Sequence, residues 1–261
     1  MKRKQLIFLI IILLTFLFVL PVYALFCFKC GTQNPDNSVY CSKCGTKLYH
    51  PAESVDIYKQ SSDLIVQEKW DKVISLLEPS PSELKSSILL AQAYLGKSDL
   101  LKRQGDKAYS SLVLLPFNTG EELINHHNQQ VQSEGFYIVA YSLFINDRKA
   151  RAQKHLKKAL ELQSFCTPEV RYLLLDGRIK AAQGFEKHDD LKIISARKVF
   201  EQIIDMDVEN EYKALSCFWL GELYSRWFDK KKAISSYNAA LNYAEYESTR
   251  MRIQKQLASI Q

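Results

Sequence analysis

"EYKALSCFWLGELYSRWFDKKKAISSYNAALNYAEYE", residues 211–247, decides the fold of this 261-residue chain. It reads as two amphipathic helices. Cys217, Leu220-Gly221 and Tyr224 mark one face of the first, and Ala233, Tyr237 and Ala240 mark one face of the second. Spacings of three and four residues keep each set on a single face. The small residue that opens the second set lets a neighbouring helix approach closely. The same order, a small or apolar residue and then a larger one four positions on, recurs upstream. It is found at Val73/Leu77, Ala108/Leu112/Leu115, Ala152/Leu156/Ala159 and Ala196/Phe200/Ile203. First members lie 35, 44, 44 and 37 residues apart, the last interval ending at Ala233.

An amphipathic segment precedes each set, which predicts five helix pairs at about 54–79, 82–115, 133–166, 168–206 and 211–247. Residues 51–261 contain three threonines and show no alternating strand pattern. Their five prolines, Pro51, Pro79, Pro81, Pro116 and Pro168, fall where the periodicity breaks. The polar stretch 118–135 reads as a short helix or a loop. From Ser248 onward, Met251, Ile253, Leu257 and Ile260 share one face of a terminal helix that caps the stack. The fold class is all-α. Spacing alone fits an α-solenoid of about five pairs or a non-repeating helical bundle.

The fifth pair resembles the tetratricopeptide-repeat family. Cys217, Leu220-Gly221, Tyr224, Ala233, Tyr237 and Ala240 occupy its signature positions, one of them with Cys where the family usually carries Trp. The third pair is similar more loosely, through Phe136, Val139-Ala140, Leu143, Ala152, Leu156 and Ala159. The fourth has Gly177 at the helix-crossing position, then a loop about seven residues longer than the repeat. The resemblance implies a divergent solenoid over residues 55–261. It also implies that the first helix of each pair lines a groove holding an extended or helical segment of a partner protein. Carried over, the groove positions are Tyr137, Tyr141 and Phe144 in the third pair, Arg171 and Arg178 in the fourth, and Phe218, Glu222 and Arg226 in the fifth. Aromatic and arginine side chains suit a binding surface. At helical spacing the same aromatics also suit plain packing.

Ahead of the helices, "FCFKCGTQNPDNSVYCSKCGTKL", residues 26–48, repeats Cys-x-x-Cys-Gly at Cys27, Cys30 and at Cys41, Cys44. Two residues between cysteines let both sulfurs reach one metal from a tight turn, and Gly31 or Gly45 supplies the positive φ. Four thiolates make a closed tetrahedral set for Zn²⁺. Lys29, Lys43 and Lys47 offset its negative charge. Asn34-Pro35-Asp36-Asn37 is turn chemistry between the two knuckles. So short a segment depends on metal for its folding energy. Iron suits the same ligands, and two disulfides are the alternative in an oxidising compartment. The stretch resembles the bacterial zinc-ribbon family, most closely over Tyr40 to Leu48. The resemblance implies one structural zinc with no open coordination position. Residues 49–54 read as a linker.

Lys2, Arg3 and Lys4 precede an apolar run from Leu6 to Leu20. The basic end belongs in the cytoplasm and the rest outside it. Pro21, with Val22 and Ala24 at the small-residue positions, suits signal cleavage after Ala24. The run continued to Phe26 is long enough for an uncleaved membrane anchor. Residues 1–24 are therefore expected to be a signal peptide or anchor, with residues 6–26 the membrane segment if uncleaved. The protein is expected in the cell envelope.

Charge separates the halves. Residues 1–50 carry +5 of the net +6, and residues 51–261 are close to neutral, which leaves the helical part without a nucleic-acid footprint. Lys29, Lys43 and Lys47 alone motivate an alternative, the ribbon as a nucleic-acid-binding or metal- or redox-sensing head, and an envelope enzyme with an unrecognised site is a further one. Cys166 and Cys217 read as small buried apolar residues. There is no Gly-rich phosphate loop and no Gly-x-Ser-x-Gly elbow. His50, His126, His127, His155 and His188 lack ligand spacing, and Asp189-Asp190 reads as a solvated turn. The expected function is non-enzymatic, a protein-interaction scaffold.

Overall fold

One backbone device builds the helix pairs. Glu68, Gly105, Asp147, His188 and Phe228 all take left-handed backbone, with φ from 52° to 78°. In each case the N–H of the following residue donates to the carbonyl five positions back. These bonds are Lys69 to Leu64, Asp106 to Leu101, Arg148 to Leu143, Asp189 to Gly184 and Asp229 to Tyr224, at 2.8–3.0 Å. This closure satisfies the orphan carbonyls of a helix end and reverses the chain. Asp189 and Asp229 then cap the next helix, accepting from the N–H groups of Lys192 and Lys232 at 3.1 Å. The five turns recur roughly forty residues apart, which marks a repeat.

The computed structural model describes residues 25–26, 32–35, 38, 40–45, 51–78, 83–162 and 169–260, with backbone alone at 25–26 and 51–56. It divides into two compact units, 1–57 and 58–261. Among the described residues the elements run β1 (Leu25–Phe26), β2 (Gln33–Asn34), α1 (Pro51–Val66), α2 (Trp70–Leu77), α3 (Leu84–Gln104), α4 (Tyr109–Leu112) and α5 (Leu114–Ile124). They continue with α6 (Gln129–Ile145), α7 (Lys149–Leu162), α8 (Glu169–Lys187), α9 (Asp190–Asp205), α10 (Asn210–Arg226), α11 (Lys230–Tyr243) and α12 (Glu247–Ile260). The fold is an all-α solenoid of helix pairs that follows a small β ribbon along the chain; in the ribbon β1 and β2 pair antiparallel, Leu25 opposite Asn34. The segment 1–24, Cys27 and Cys30 of the first knuckle, Lys29, Lys47 and Cys166 lie outside the described residues. No helix among the described residues is long and apolar enough to cross a membrane.

In the helical unit α3, α6, α8 and α10 touch one another in sequence and form an inner layer. The outer helices each bury one stripe against them. Ala152, Leu156 and Ala159 do so from α7, Ala196, Phe200 and Ile203 from α9, and Ala233, Tyr237 and Ala240 from α11, all fully buried. Glycines set the approach. A Cβ added at Gly177 would sit 2.5 Å from the Phe200 ring, and one at Gly221 2.5 Å from the Tyr237 ring. Cores packed this tightly do not open for an extra methyl. The first pair inverts the arrangement: Trp70 of α2 lies over Gly96 of the following helix.

Three expectations are corrected. The Ala108/Leu112/Leu115 set is not a buried face; Leu115 is half exposed, and the covered residues are Val113, Pro116, Gly120 and Leu123. The reason is that α5 leaves the second pair to cross α6 at its backbone: a Cβ at Gly135 would meet the Ile124 nitrogen at 2.6 Å and the Gly120 oxygen at 2.8 Å. The stretch 118–135 is thus shared between two helices. The long loop of the fourth pair does not exist either, because its extra residues lengthen α8 to 19 residues. Gly184 admits Ile193 of α9 into van der Waals range, so the added turns stay packed. Lastly, α1 starts at Pro51, inside the expected linker, where proline's fixed φ suits a first helical position.

Candidate functional site

The second cysteine knuckle is described from Cys41 to Gly45. Gly45 takes φ 68° and its N–H donates to the Cys41 carbonyl at 3.0 Å. Asn34, buried on β2, braces the turn: its amide donates to Cys41 Sγ at 3.7 Å, and its Oδ1 accepts from the Ser42 N–H at 2.9 Å and from the Ser42 hydroxyl at 3.0 Å. On either side of the expected turn, the Ser38 N–H donates to the Pro35 carbonyl at 3.0 Å, while Asp36 and Asn37 lie outside the described residues. An amide donor on the sulfur and a left-handed glycine after the second cysteine are the geometry a Cys-x-x-Cys metal knuckle uses. The described half of the module therefore fits a thiolate metal site. Among the described residues no group of three or more metal-ligand side chains occurs; two of the four cysteines lie outside them. Cys217 differs: it is buried in α10 and burial alone pushes its thiol up to about 11.

The helical unit brings residues of the other three inner helices onto Arg178 of α8. Its guanidinium donates to both oxygens of Asp99 (α3) at 2.8 and 2.9 Å and to the Tyr141 hydroxyl (α6) at 2.9 Å. It also stacks 4.4 Å from the Trp219 ring (α10) and 5.1 Å from the Phe144 ring. The Arg178 and Asp99 side chains are 11% and 8% exposed. Burial would push the Asp99 carboxyl up, but Arg178 and Arg103 together with these hydrogen bonds hold it below the usual carboxylate range. Burial opposes the Arg178 charge, and Asp99 outweighs it, so the guanidinium stays protonated. Arg178 thus ties four repeats together.

The other expected groove residues divide into wall and opening. Tyr137 is buried against Tyr172, rings 4.6 Å apart. Arg171 donates to buried Gln92 of α3 and stacks over Tyr137. Phe218 is buried beneath Arg252 of α12 at 4.6 Å. These are packing roles. Phe144, Glu222 and Arg226 line an open cavity of about 960 Å³ between α3, α6, α8, α10 and α12, to which Arg178 and Phe218 also contribute. Glu222 accepts the Tyr237 hydroxyl at 2.5 Å, and Arg226 lies 4.5 Å over the Phe185 ring.

Sequence reasoning missed what closes the cavity. Arg252 Nη1 reaches both oxygens of Glu68 at 2.8 and 2.9 Å, and the Ser248 hydroxyl donates to the Gln67 carbonyl at 3.1 Å. The turn of the first pair is thereby fastened to the last helix. Glu211, fully buried in α10, holds α12 in place by accepting from the N–H groups of Glu245 and Tyr246 and from the Thr249 hydroxyl. Asp99 was also missed. Its one signal is Leu95-Gly96 three residues earlier, the dipeptide seen again at Leu220-Gly221.

Comparison with known families agrees at both ends. The zinc-ribbon domain matches residues 26–48, and the tetratricopeptide repeat matches residues 214–246. No curated protein and no solved structure matches the chain. Tetratricopeptide repeats are typically non-catalytic and generally mediate protein–protein contacts, and zinc ribbons suggest zinc binding. The chain thus carries a zinc-ribbon match ahead of an all-α helical array whose fifth pair matches the tetratricopeptide repeat, which at a coarse level supports an interaction scaffold.

Proposed function

We propose that this chain is a non-enzymatic scaffold of the cell envelope that holds a segment of another protein in the cavity between its inner helices and α12. The cavity carries this reading. Its volume of about 960 Å³ suits several side chains, and Phe144, Phe185, Trp219 and Met251 give it an apolar lining with charged groups at the edge. The ribbon holds one structural zinc through Cys27, Cys30, Cys41 and Cys44. With four thiolates the ion cross-links the segment and offers no position for substrate. Residues 1–24 deliver the rest of the chain across the membrane and are then removed or kept as an anchor.

A photo-crosslinking residue in place of Phe144 or Phe185, with Lys198 on the exposed side of α9 as control, tests the groove. Partner adducts from the first two positions only are expected. Equal adducts from all three, or adducts from Lys198 alone, reject the groove. Native mass spectrometry of envelope fractions tests delivery and metal together. One zinc per chain is expected, on a species either full length or lacking residues 1–24. Recovery in the cytosol only would reject export, and a metal-free mass four hydrogens light at the cysteines would reject zinc.

A further inference from the structure

We infer that the segment held in this cavity is acidic and amphipathic, with carboxylates flanking an apolar side chain. The inference rests on the groove reading above and adds the chemistry of the occupant. Charge bookkeeping along the lining carries it. Every carboxylate there already has a partner in the chain. Asp99 is held by Arg178 and Arg103, Asp147 by Lys102 and Lys149, Glu186 by Lys149, and Glu68 by Arg252. Glu222 accepts the Tyr237 hydroxyl. Arg226 and Lys255 are exposed at the opening, and among the described residues no carboxylate pairs with either. The lining holds seven cations against five carboxylates, a net charge of two positive, and Glu222 is the one carboxylate there whose partner is a neutral hydroxyl. A basic segment would meet this net positive charge with only Glu222 free of an ion pair, while an acidic one is attracted to Arg226 and Lys255.

The apolar half follows from position. Arg226 stacks on Phe185, so the cation and an aromatic face share one wall. Met251, 56% exposed, and Lys255 are four residues apart on α12 and share the wall that this helix supplies. Each wall offers one apolar surface beside one free cation. An occupant with an apolar side chain between two carboxylates meets both walls at once.

The test pans a random-peptide phage library on the intact chain. Arg226→Glu/Lys255→Glu and Phe185→Asp variants, checked for unchanged helical circular dichroism, serve as counter-screens. Enriched peptides are expected to be acidic with a Leu or aromatic residue. They should weaken with salt and bind the charge-reversed variant at least about tenfold less tightly. Neutral or basic peptides that compete at the cavity and are lost in Phe185→Asp would overturn the acidic assignment and leave the groove standing. Enrichment only of peptides indifferent to both variants, or none at all, would overturn the groove reading along with it.

Discussion

Replacing Asp99 by Ala is the sharpest test of how the array is held together. The substitution leaves the Arg178 guanidinium with two lost acceptors at 2.8 and 2.9 Å, in a site where its side chain is 11% exposed. Breaking a buried pair from one side costs about 3–5 kcal/mol, because the surviving charge stays buried. That is a large share of the roughly 5–15 kcal/mol that holds a domain folded, and corresponds to a drop of roughly 10 °C in Tm. Urea unfolding followed by far-ultraviolet circular dichroism reads it directly. The double replacement Asp99→Leu/Arg178→Met should recover most of the loss, since it removes both charges. The pair also sets an acid limit. The folded pKa of Asp99 lies below its unfolded value, so its contribution is complete above the unfolded pKa and is lost as pH falls through the folded one. Stability should therefore fall more steeply with acid in the parent chain than in Asp99→Ala. A loss under about 1 kcal/mol, the scale of an exposed pair, would refute the reasoning and mean that water reaches Arg178 freely.

Gly221→Ala should destabilise by about 1–2 kcal/mol despite alanine's better helix propensity, because the new methyl would meet the buried Tyr237 ring at 2.5 Å; a thermal melt above the parent's would reject that crossing geometry. Phe228→Gly should instead stabilise by about 1 kcal/mol, since Phe228 holds φ 59° with its side chain 96% exposed and loses almost no packing; denaturant midpoints decide it. Cys41→Ser should abolish zinc binding and unfold the ribbon while leaving the helical melt unchanged, measured by metal content and circular dichroism; retained stoichiometric zinc would remove Cys41 from the ligand set.

Much of this was legible in the chain. The outer stripes at Ala152/Leu156/Ala159, Ala196/Phe200/Ile203 and Ala233/Tyr237/Ala240 were readable because burying one face leaves a three–four spacing in the residues themselves. The second knuckle was readable because a metal turn constrains residues within five positions. The repeat turns were not, because four of the five left-handed positions carry Glu, Asp, His and Phe in place of the glycine that usually signals a helix end. The same holds for the second pair, where Gly120 and Gly135 create a helix crossing that belongs to no repeat pattern.

Sequence by itself determined the helix pairs other than the second, the four-cysteine spacing and the separation of charge, all of which are local patterns. Only the tertiary structure decided which expected groove residues are wall and which are opening. Arg178 and Asp99 stand 79 positions apart, and Glu68 and Arg252 stand 184 apart. No spacing rule spans such distances, because a solenoid's curvature sums small rotations over every repeat before its ends meet. The burial that turns Tyr137 and Phe218 into packing, and leaves Arg226 and Lys255 facing the cavity, exists only once neighbouring helices have packed on one another.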